Sequence, residues 1–525
     1  FRKKIFNSEK IYGLNLAIFN PLYVLIIFGN IMFLSNFLLR GYIFAYLIIV
    51  SSTFLFFYSL NKISLSFERL FPFIFISFLL SFSTYGITDH YDFGFYHLLN
   101  QSWIFNEKIV FGLSNIMFPL GNQSIYEYIS AIFFISDNYV ILHFLNLVPI
   151  TIFFHFLYEC FKLSSNSFLK LSSLVIILFG FLDNFGYLGG ANGFPNFQHV
   201  GKPDITVAVL VIIFNILIIN YLKHKKYNND IFRLLTLLTF FLIQLKPTSF
   251  YILLIFIYAL LKDKIYFLKN SVNIKFNFII SFVSIFWIIK NIIVSGCVLF
   301  PVKFLCFDNL NWSSTNLVNQ ANQHYSSTYF PYILGDNVIE WFLVWKKINA
   351  NYQITVNFIA SYIIIYFVSK IFTEKINNSS NDSNFIRFYL VFSLVAFFIS
   401  VPLFRYSFGI LSSLVLLIVL NRKIKDKYTY GNNSVKIFMF LFILTTLFVS
   451  RGYSFSNAIK NPIAMTNLVI PETHYVKATN WGVIPLKTKN NPNIKCWDNL
   501  DCNPEDKELE VYDINGYYFI LESKR

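Results

Sequence analysis

The stretch "ITVAVLVIIFNILIINY", residues 205–221, decides the class of this protein. It contains no charged residue, and its length lies within the roughly 17 to 25 residues that a helix needs to cross a bilayer. Similar runs recur along the chain. Of the 525 residues, 56% are hydrophobic and only 13% are charged, which is too much apolar surface for an ordinary soluble domain to bury. The sequence therefore predicts an all-α polytopic membrane protein.

The hydrophobic runs predict about thirteen transmembrane helices. They lie at residues 14–39, 41–60, 70–86, 139–161, 166–185, 205–221, 232–246, 248–262, 276–299, 352–373, 385–401, 403–420 and 434–451. The two runs on either side of Lys246 and Pro247 are short. Because proline removes a backbone donor and clashes with the preceding turn, one long helix kinked at Pro247 is the alternative to this pair.

The basic residues predict how these helices are oriented. Lys and Arg in short loops favour the cytoplasmic side. With a cytoplasmic N-terminus, the basic runs all fall on one side; these are "FRKK" (1–4), "KHKK" (223–226), "KDK" (262–264), Lys370 with Lys375, and "NRKIKDK" (421–427). The net charge of +15 then reflects membrane topology. No basic patch interleaved with aromatic residues predicts a nucleic-acid partner.

This orientation divides the chain into two parts. Residues 1–451 are expected to form the transmembrane domain, with two long outer loops at about 87–138 and 300–351. Residues 452–525 would form a small extracytoplasmic domain.

Two segments of the first outer loop look helical without being able to span the membrane. Between residues 93 and 105, apolar residues recur at helical spacing opposite Gln101 and Asn106, which predicts a helix lying flat at the interface. The stretch "YEYISAIFFI" (126–135) is too short to span and too apolar for open water. It is predicted to be a re-entrant or interfacial helix.

The cysteines agree with the predicted orientation. Cys160 lies at a cytoplasmic helix end, and Cys297, Cys306, Cys496 and Cys502 fall on the outer side. Stable disulfides belong to oxidising compartments, so local bridges between Cys297 and Cys306 and between Cys496 and Cys502 are expected. The alternative is four free thiols.

The stretch "TDHYDFGFYHLLNQSW" (88–103) concentrates ionisable residues where the third predicted helix emerges on the outer side. Asp92 suits the N-cap of the helix that follows, and capping alone is one explanation. However, Asp89 and Asp92 together with His90 and His97 exceed what a cap requires. Ionisable groups at membrane depth mark functional sites, which makes these four residues candidate site residues.

A second group of ionisable residues is expected at the outer ends of other helices. Its members are His199, Lys202, Asp204, Lys246 and Arg405. On one interpretation each cation only reaches toward lipid headgroups. On the other, cations gathered beside carboxylates on the membrane face that carries few positive charges would bind a lipid-linked phosphate, since phosphate needs Lys or Arg partners.

Several short motifs together resemble those of a family of bacterial membrane proteins often encoded in envelope polysaccharide clusters. In chain order they are "YDFGFYHLLNQSWIFNEKIVFGLSNIMFPLGNQSIYEYISAIF" (91–133), "KPD" (202–204), "LKPT" (245–248), "NIIVSGCVLFP" (291–301), "FRYSFG" (404–409) and "CWDNLDCNP" (496–504). In architecture that family is similar to GT-C glycosyltransferases, whose large first outer loop carries a catalytic acid. In most such enzymes this loop follows the first helix, whereas two further helices precede it here, so only the acid of the loop is carried over.

The resemblance implies a GT-C-like glycosyltransferase in the bacterial inner membrane, with its active site and C-terminal domain facing the periplasm. The donor would be a polyprenyl-phosphate-linked sugar and the acceptor a glycan or a lipid-linked molecule. Asp92 or Asp89 would act as general base in an inverting transfer, since a hydroxyl attacking a sugar needs a proton acceptor. Lys202, Lys246 and Arg405 would stabilise the leaving phosphate.

Several alternatives remain open at this point. His90, His97 and His199 would orient hydroxyls, and a divalent metal (Mg²⁺ or Mn²⁺) between Asp89 and Asp92 is an option because hard cations favour carboxylates and phosphate oxygens. A polysaccharide polymerase would use the same donor chemistry on a longer acceptor. A transporter or flippase of lipid-linked sugars, or a scaffold that uses the outer C-terminal segment, would perform no chemistry.

Overall fold

The structure, a computed structural model, describes most of the chain. The described residues are 10–11, 14–60, 67–81, 91–134, 140–162, 166–184, 202–224, 229–262, 271–329, 338–347, 351–376, 381–400, 404–425, 437, 441, 474–477, 481–485 and 495–523. Asp89, His90 and His199 lie outside these residues, as does most of the predicted helix at 434–451.

The described residues are mostly helical, as the sequence predicts. The α-helices are α1 (Asn20–Asn36), α2 (Gly41–Leu60), α3 (Phe67–Ser81), α4 (Leu98–Asn106), α5 (Ile125–Ala131), α6 (Val140–Phe144), α7 (Leu147–Lys162), α8 (Ser167–Asn184), α9 (Asp204–His224), α10 (Asn229–Leu245), α11 (Ile252–Lys262), α12 (Ser271–Ser295), α13 (Thr315–Tyr329), α14 (Val338–Trp345), α15 (Asn351–Phe372), α16 (Asn381–Ser400), α17 (Phe404–Leu414) and α18 (Leu416–Val419). A π-helical turn, Phe93–His97, leads into α4, and short 3₁₀ helices occupy Leu16–Phe19, Leu113–Asn115, Phe118–Gly121, Pro247–Tyr251 and Lys303–Leu305.

The described strands are short and form four antiparallel pairs. They are β1 (Lys10–Ile11) with β2 (Leu14–Asn15), β3 (Thr373–Lys375) with β4 (Arg422–Ile424), β5 (Tyr475–Lys477) with β6 (Val483–Pro485), and β7 (Leu509–Ile514) with β8 (Tyr517–Glu522).

Four of the described helical segments are long and apolar enough to cross a membrane. They are Leu16–Asn36, Asp204–Lys223, Ile274–Ser295 and Asn351–Phe372. The predicted count of thirteen is therefore not borne out by the described residues. A hydrophobic run records composition and does not show where a helix breaks: the run at 139–161 is divided between α6 and α7, and the run at 403–420 between α17 and α18.

Helix α9 lies at the centre of the bundle and packs against α7, α10 and α17. Its apolar window is completely buried inside the protein, whereas only 17% of the corresponding window of α15 is buried. On the outside, α2 exposes Phe54 and α12 exposes Phe278. Apolar surface of this extent is stable against lipid, and the protein is accordingly a membrane protein.

The basic loops of the sequence meet at one end of this bundle. Lys223, at the end of α9, donates to the carbonyl of Leu420 (2.5 Å), just before β4. Strand β4 pairs with β3, which follows α15. Lys262, at the end of α11, forms an ion pair with Asp382 at the start of α16. For the basic segments that the structure describes, these contacts agree with the prediction that the segments share one side of the protein.

The opposite end of α9 begins at Asp204, about 30 Å away at 1.5 Å per residue. Here the first outer loop, the second outer loop and the C-terminal segment pack together. The side-chain amide of Asn115 donates to the carbonyls of Trp312 (3.0 Å) and Ile520 (2.8 Å), and so joins all three segments. The candidate site lies at this end.

The C-terminal segment is held by a hairpin and a disulfide. Asn515 and Gly516 join β7 to β8 with φ angles of 56° and 76°, the left-handed conformation that a tight hairpin turn requires. The backbone of Phe111 pairs with this hairpin, since its N–H donates to Tyr518 O and its carbonyl accepts from Ile520 N, both at 2.9 Å. The hairpin is thus attached to the first outer loop.

Both predicted disulfides are present. Cys297 bonds to Cys306 in the second outer loop, and Cys496 bonds to Cys502 in the C-terminal segment. Cys160 is buried with a free thiol.

The chain reverses direction at Lys246 and Pro247. Helix α10 ends at Leu245, and the 3₁₀ helix after it leads into α11. The rings of Phe232 and Phe256 lie 5.5 Å apart, so the two helices run side by side. The alternative of a single kinked helix is therefore wrong.

The predicted interfacial helix is more buried than its sequence pattern indicates. In α4 the apolar Leu98 and Leu99 are fully buried, and so is the polar Gln101 on the face that was expected to meet water. Gln101 has a carboxylate partner from another helix, which explains its burial. Helix α5 (Ile125–Ala131) overlaps the first part of the predicted interfacial segment 126–135. It is a short helix and is buried along its whole length.

Candidate functional site

Asp92 begins the helical segment that becomes α4. It was predicted to cap this helix, but its side chain makes no capping hydrogen bond and its own backbone is already helical. Instead, Asp92 Oδ2 lies 2.8 Å from the ammonium nitrogen of Lys202. The π-helical turn after Asp92 is closed by the bond from Leu98 N to Phe93 O. Such turns inside α-helices occur often at functional sites.

Lys202 precedes α9, and Asn146 holds its backbone there. Its carbonyl accepts from the side-chain amide of Asn146 (3.0 Å), whose oxygen accepts from the hydroxyl of Thr206 (2.8 Å). The Lys202 side chain is 6% exposed and that of Asp92 is 23% exposed. The contact is therefore a partly buried ion pair at a fixed position. A lysine that only reached toward lipid headgroups would be exposed instead.

A second ion pair adjoins the first. Asp204, in the first turn of α9, binds the ammonium group of Lys246. The helix N-terminus favours the negative charge of Asp204. The ammonium group also lies 3.4 Å from the centre of the Tyr406 ring, a cation–π contact with α17. Two lysines and two aspartates thus lie where α9, α10, α17, the loop before α9 and the helical segment of Asp92 meet.

These four residues balance in charge. Asp92 and Lys202 face the outer loop, while Asp204 and Lys246 fix the beginning of α9 to the end of α10. Each of these two lysines has an aspartate as its partner, so an anion that bound either lysine would compete with a carboxylate.

The structure describes the other predicted site residues only in part. Arg405 precedes Tyr406, whose ring contacts Lys246, and the Arg405 side chain is outside the described part. Asp89, His90 and His199 also lie outside the described residues. His97 is described and is placed elsewhere on the π-helical turn, against Glu127.

The Glu127 carboxylate holds two residues of the first outer loop. Glu127 Oε1 lies 2.5 Å from His97 Nδ1, and Glu127 Oε2 accepts from the side-chain amide of Gln101 at 2.8 Å. The His97 and Glu127 side chains are 10% and 3% exposed. Helix α5 carries Glu127 and is itself fixed to α10, because the hydroxyl of Ser124 donates to Leu245 O (2.7 Å).

A small apolar pocket of about 10 Å³, roughly the room of one water molecule, lies near the ion pairs. Thr206 of α9, Leu245 of α10 and Tyr126 of α5 contribute to its wall, together with residues of α1 and α7. Tyr126 is buried, and its hydroxyl has no hydrogen-bond partner within the described part of the chain. Burial, reinforced by the neighbouring Glu127 charge, raises the pKa of Tyr126, so the hydroxyl keeps its proton and remains a donor.

The C-terminal segment lies directly on the π-helical turn. The backbone N–H of Trp497 donates to Gly94 O at 2.7 Å, and Ser102 Oγ donates to Asp498 O at 2.9 Å. A Cβ atom on Gly94 would come within 2.8 Å of Lys495 and 3.1 Å of the Trp497 ring. Glycine at position 94 therefore allows the disulfide loop to rest on the helix two residues after Asp92.

The described residues offer no metal site. No group of three or more His, Cys, Asp and Glu side chains in the described ranges is arranged to hold an ion. Asp92, the predicted ligand within those ranges, faces an ammonium group instead. The predicted partner Asp89 lies outside them.

Sequence reasoning missed several residues of this region. Glu127 is the one acidic residue of the apolar stretch 126–135, which was interpreted by its length alone. A lone carboxylate in such a run is costly without a partner and could have indicated a buried polar contact. Asn146 and Tyr406 gave no signal, because Asn and Tyr are abundant along this chain and their contacts are made by distant residues.

Comparison with known proteins identifies the family and little else. No curated protein and no solved structure matches the chain significantly. Residues 11–412 match one family over well more than half of the chain. The matched residues include Asp92, Lys202, Asp204, Lys246 and Arg405, and they end before the C-terminal hairpin. This chain belongs to the family described as a domain of unknown function, DUF8201.

Proposed function

We propose that this protein is a membrane glycosyltransferase that moves a sugar from a polyprenyl-phosphate-linked donor to a glycan or lipid-linked acceptor. The observation that carries the proposal is the contact between Asp92 and Lys202, next to the Asp204–Lys246 pair. A proton acceptor and phosphate-binding cations are the two groups that this chemistry requires. A polyprenyl chain would lie in the surrounding bilayer, against the apolar surface that the outer helices expose.

The donor phosphate would change the partners in the cluster. A phosphate oxygen binding Lys202 competes with Asp92 for the ammonium group, since both are anions. Asp92 is then free to accept a proton. The ammonium group of Lys246, which contacts the Tyr406 ring, would donate a further hydrogen bond to the phosphate. The hydroxyl of Tyr126 would donate another. Because donor binding releases the base, the site would become reactive only when the donor is present.

The transfer step follows from these positions. The acceptor oxygen attacks the anomeric carbon of the sugar, and its proton passes to the Asp92 carboxylate. The bond from the anomeric carbon to the phosphate oxygen breaks, and that oxygen keeps the electron pair. Lys202 and Lys246 stabilise the charge that develops on the phosphate. Attack opposite to the leaving group inverts the anomeric centre.

In the same proposal the architecture is GT-C-like and the site faces the outside of a bacterial inner membrane. The basic end of the bundle, with Lys223 and Lys262, would be cytoplasmic. The two disulfides, at the end that carries the site, suit the oxidising periplasm. A polymerase of O-antigen or capsule type would use the same residues and differ only in its acceptor.

The experiment uses purified protein in liposomes together with a lipid extract of the native membranes. Mass spectrometry follows the loss of a glycosyl mass from polyprenyl-phosphate species and its gain on another lipid or glycan. We expect both changes with the wild-type protein and neither with Asp92→Asn. Conserved masses with movement of the lipid across the bilayer would instead identify a flippase, and the transferase proposal would be abandoned.

A further inference from the structure

We infer that Glu127 and His97 form the acceptor subsite of this protein, in which His97 binds a hydroxyl group of the acceptor sugar. This inference rests on the proposed function. It assigns a positioning role to Glu127, which no sequence motif singled out. Its basis is the way in which Glu127 holds the imidazole ring of His97.

Glu127 determines which nitrogen of the imidazole carries a proton. An ionised carboxylate can only accept, so at 2.5 Å the proton between the two groups belongs to His97 Nδ1. In the neutral ring, Nε2 then has a lone pair and is a hydrogen-bond acceptor. Gln101 donates to the other oxygen of Glu127 and keeps the carboxylate from turning. A carboxylate that holds a histidine in this way fixes both its tautomer and its orientation.

A buried lysine lies near this pair. Lys290 of α12 is completely buried, and its side-chain nitrogen lies 3.6 Å from the centre of the Trp287 ring and 5.2 Å from that of Tyr128, the neighbour of Glu127. Among the described residues it makes no hydrogen bond, whereas His97 is within hydrogen-bond distance of Glu127.

The π-helical turn brings His97 toward the side of the helix that carries Asp92. In a regular α-helix, residues five apart differ by about 140° around the axis, since each residue turns roughly 100°. The turn at Phe93–His97 is wider, with bonds from residue i to i+5, which reduces this angle. Asp92 and His97 therefore lie closer to the same face of the helix than their spacing in sequence indicates.

Helix α5 contributes one residue to this pair and another to the small apolar pocket. Tyr126 contributes to the pocket wall, and the next residue, Glu127, holds His97. An acceptor sugar has several hydroxyl groups. One would donate its proton to Asp92, and a second would donate a hydrogen bond to His97 Nε2. The ligand class is thus a molecule with at least two hydroxyl groups on one ring.

The first test measures the imidazole directly and does not require activity. The protein is labelled with ¹⁵N-histidine and placed in liposomes, and solid-state NMR distinguishes protonated from unprotonated ring nitrogens. The His97 signal is assigned by its loss in His97→Gln. We expect Nδ1 protonated and Nε2 unprotonated in the wild type and a mixture of tautomers in Glu127→Gln. An unchanged His97 signal in Glu127→Gln would overturn the inference, whatever the enzyme does.

The second test measures transfer with the lipid extract and varied acceptor. Loss of one hydrogen bond to the acceptor should raise the acceptor KM about tenfold in Glu127→Gln and leave the donor KM unchanged. Glu127→Asp should recover part of the effect. Glu107→Gln removes another carboxylate of the same loop and should behave as the wild type. A defect in kcat alone, or equal changes in both KM values, would contradict an acceptor subsite.

The two tests separate this inference from the function on which it rests. If the wild type transfers sugar but Glu127→Gln binds acceptor normally, only the acceptor subsite is wrong. If the wild type transfers nothing, the proposed function fails and the acceptor role fails with it. The NMR result then stands by itself as a property of the fold.

Discussion

The ammonium nitrogen of Lys202 lies 2.8 Å from Asp92 Oδ2 and joins the first outer loop to the beginning of the central helix. Neither partner is fully exposed, and the Lys202 backbone is fixed by Asn146. A contact of this kind has two roles that an experiment must separate. It stabilises the position of the loop, and it presents a carboxylate and a cation to a ligand.

The structural role predicts coupling between the two residues. Asp92→Asn removes the carboxylate next to a buried ammonium group, which costs about 3 kcal/mol or more. In the double variant Asp92→Asn/Lys202→Met no charge remains, so this double variant should unfold at a higher temperature than Asp92→Asn. Thermal unfolding in detergent measures both. Strictly additive effects would mean that the two side chains do not interact in the folded protein.

Lys246 should matter for stability as well as for phosphate binding. Asp204 is 6% exposed, and removing its partner in Lys246→Met leaves a buried carboxylate, which we expect to cost about 3 kcal/mol. Lys246→Arg keeps the charge and the contact with the Tyr406 ring, and should lose much less. Thermal midpoints of the two variants test this difference. Equal midpoints would show that charge at position 246 does not matter.

The disulfide between Cys496 and Cys502 should hold the C-terminal segment against the π-helical turn. It closes a short loop, with a sequence separation of 6, and its loss should cost about 2 kcal/mol of stability. Cys496→Ser/Cys502→Ser should therefore increase amide hydrogen exchange at Trp497, whose backbone N–H donates to the carbonyl of Gly94.

The other disulfide provides the matched control. Cys297→Ser/Cys306→Ser opens a loop of similar length, with a sequence separation of 9, in the second outer loop. It should increase exchange near Cys297 and leave the Trp497 amide protected. If both double variants increase exchange at Trp497 equally, the C-terminal disulfide has no specific role in covering the turn.

Glu107 predicts a dependence of stability on pH. Burial raises the pKa of Glu107 above its usual value of 4.5, and Asp513 reinforces this rise while Arg40 opposes it. A carboxyl group with a raised pKa in the folded state favours folding below its usual pKa, and this contribution is lost as the pH rises through the raised value. Glu107→Gln should therefore unfold at a slightly higher temperature than the wild type at pH 8.

The same experiment at low pH tests the sign. At pH 4 the wild-type Glu107 is largely protonated, and the difference between it and Glu107→Gln should disappear. Glu510→Gln, which removes an exposed carboxylate of the hairpin, is measured alongside as the surface control. A midpoint of Glu107→Gln below that of the wild type at pH 8 would mean that the contact with Arg40 outweighs burial.

Much of the helical content could be predicted from the sequence, because each helix is coded locally by its apolar run. The central helix was predicted at 205–221 and is Asp204–His224. The breaks within other runs could not be predicted, since they depend on side chains from elsewhere in the fold. Asn146, between α6 and α7, binds the Lys202 backbone and the Thr206 hydroxyl across the bundle.

The site was predicted in part, for a similar reason. Because few residues of the chain are charged, Asp92, Lys202 and Lys246 were recognised as unusual on the outer side. It did not reveal that each lysine has an aspartate as its partner, because pairing is a property of the fold. The hairpin at Asn515 and Gly516 did have a local signal, the Asn-Gly pair between apolar strands, which sequence reasoning left unused.

The most direct measurement of the central claim is sugar transfer by the charge-reversed variant Asp92→Lys/Lys202→Asp, reconstituted with the native lipid extract. The reversal keeps an ion pair between the loop and the central helix, so the thermal midpoint should recover relative to Asp92→Asn. It also removes the carboxylate from the loop and the cation from the beginning of α9. We predict a folded protein with transfer reduced at least a hundredfold, as expected for loss of a general base. Wild-type transfer by this variant would contradict the proposal, because it would show that the pair serves only to hold the loop.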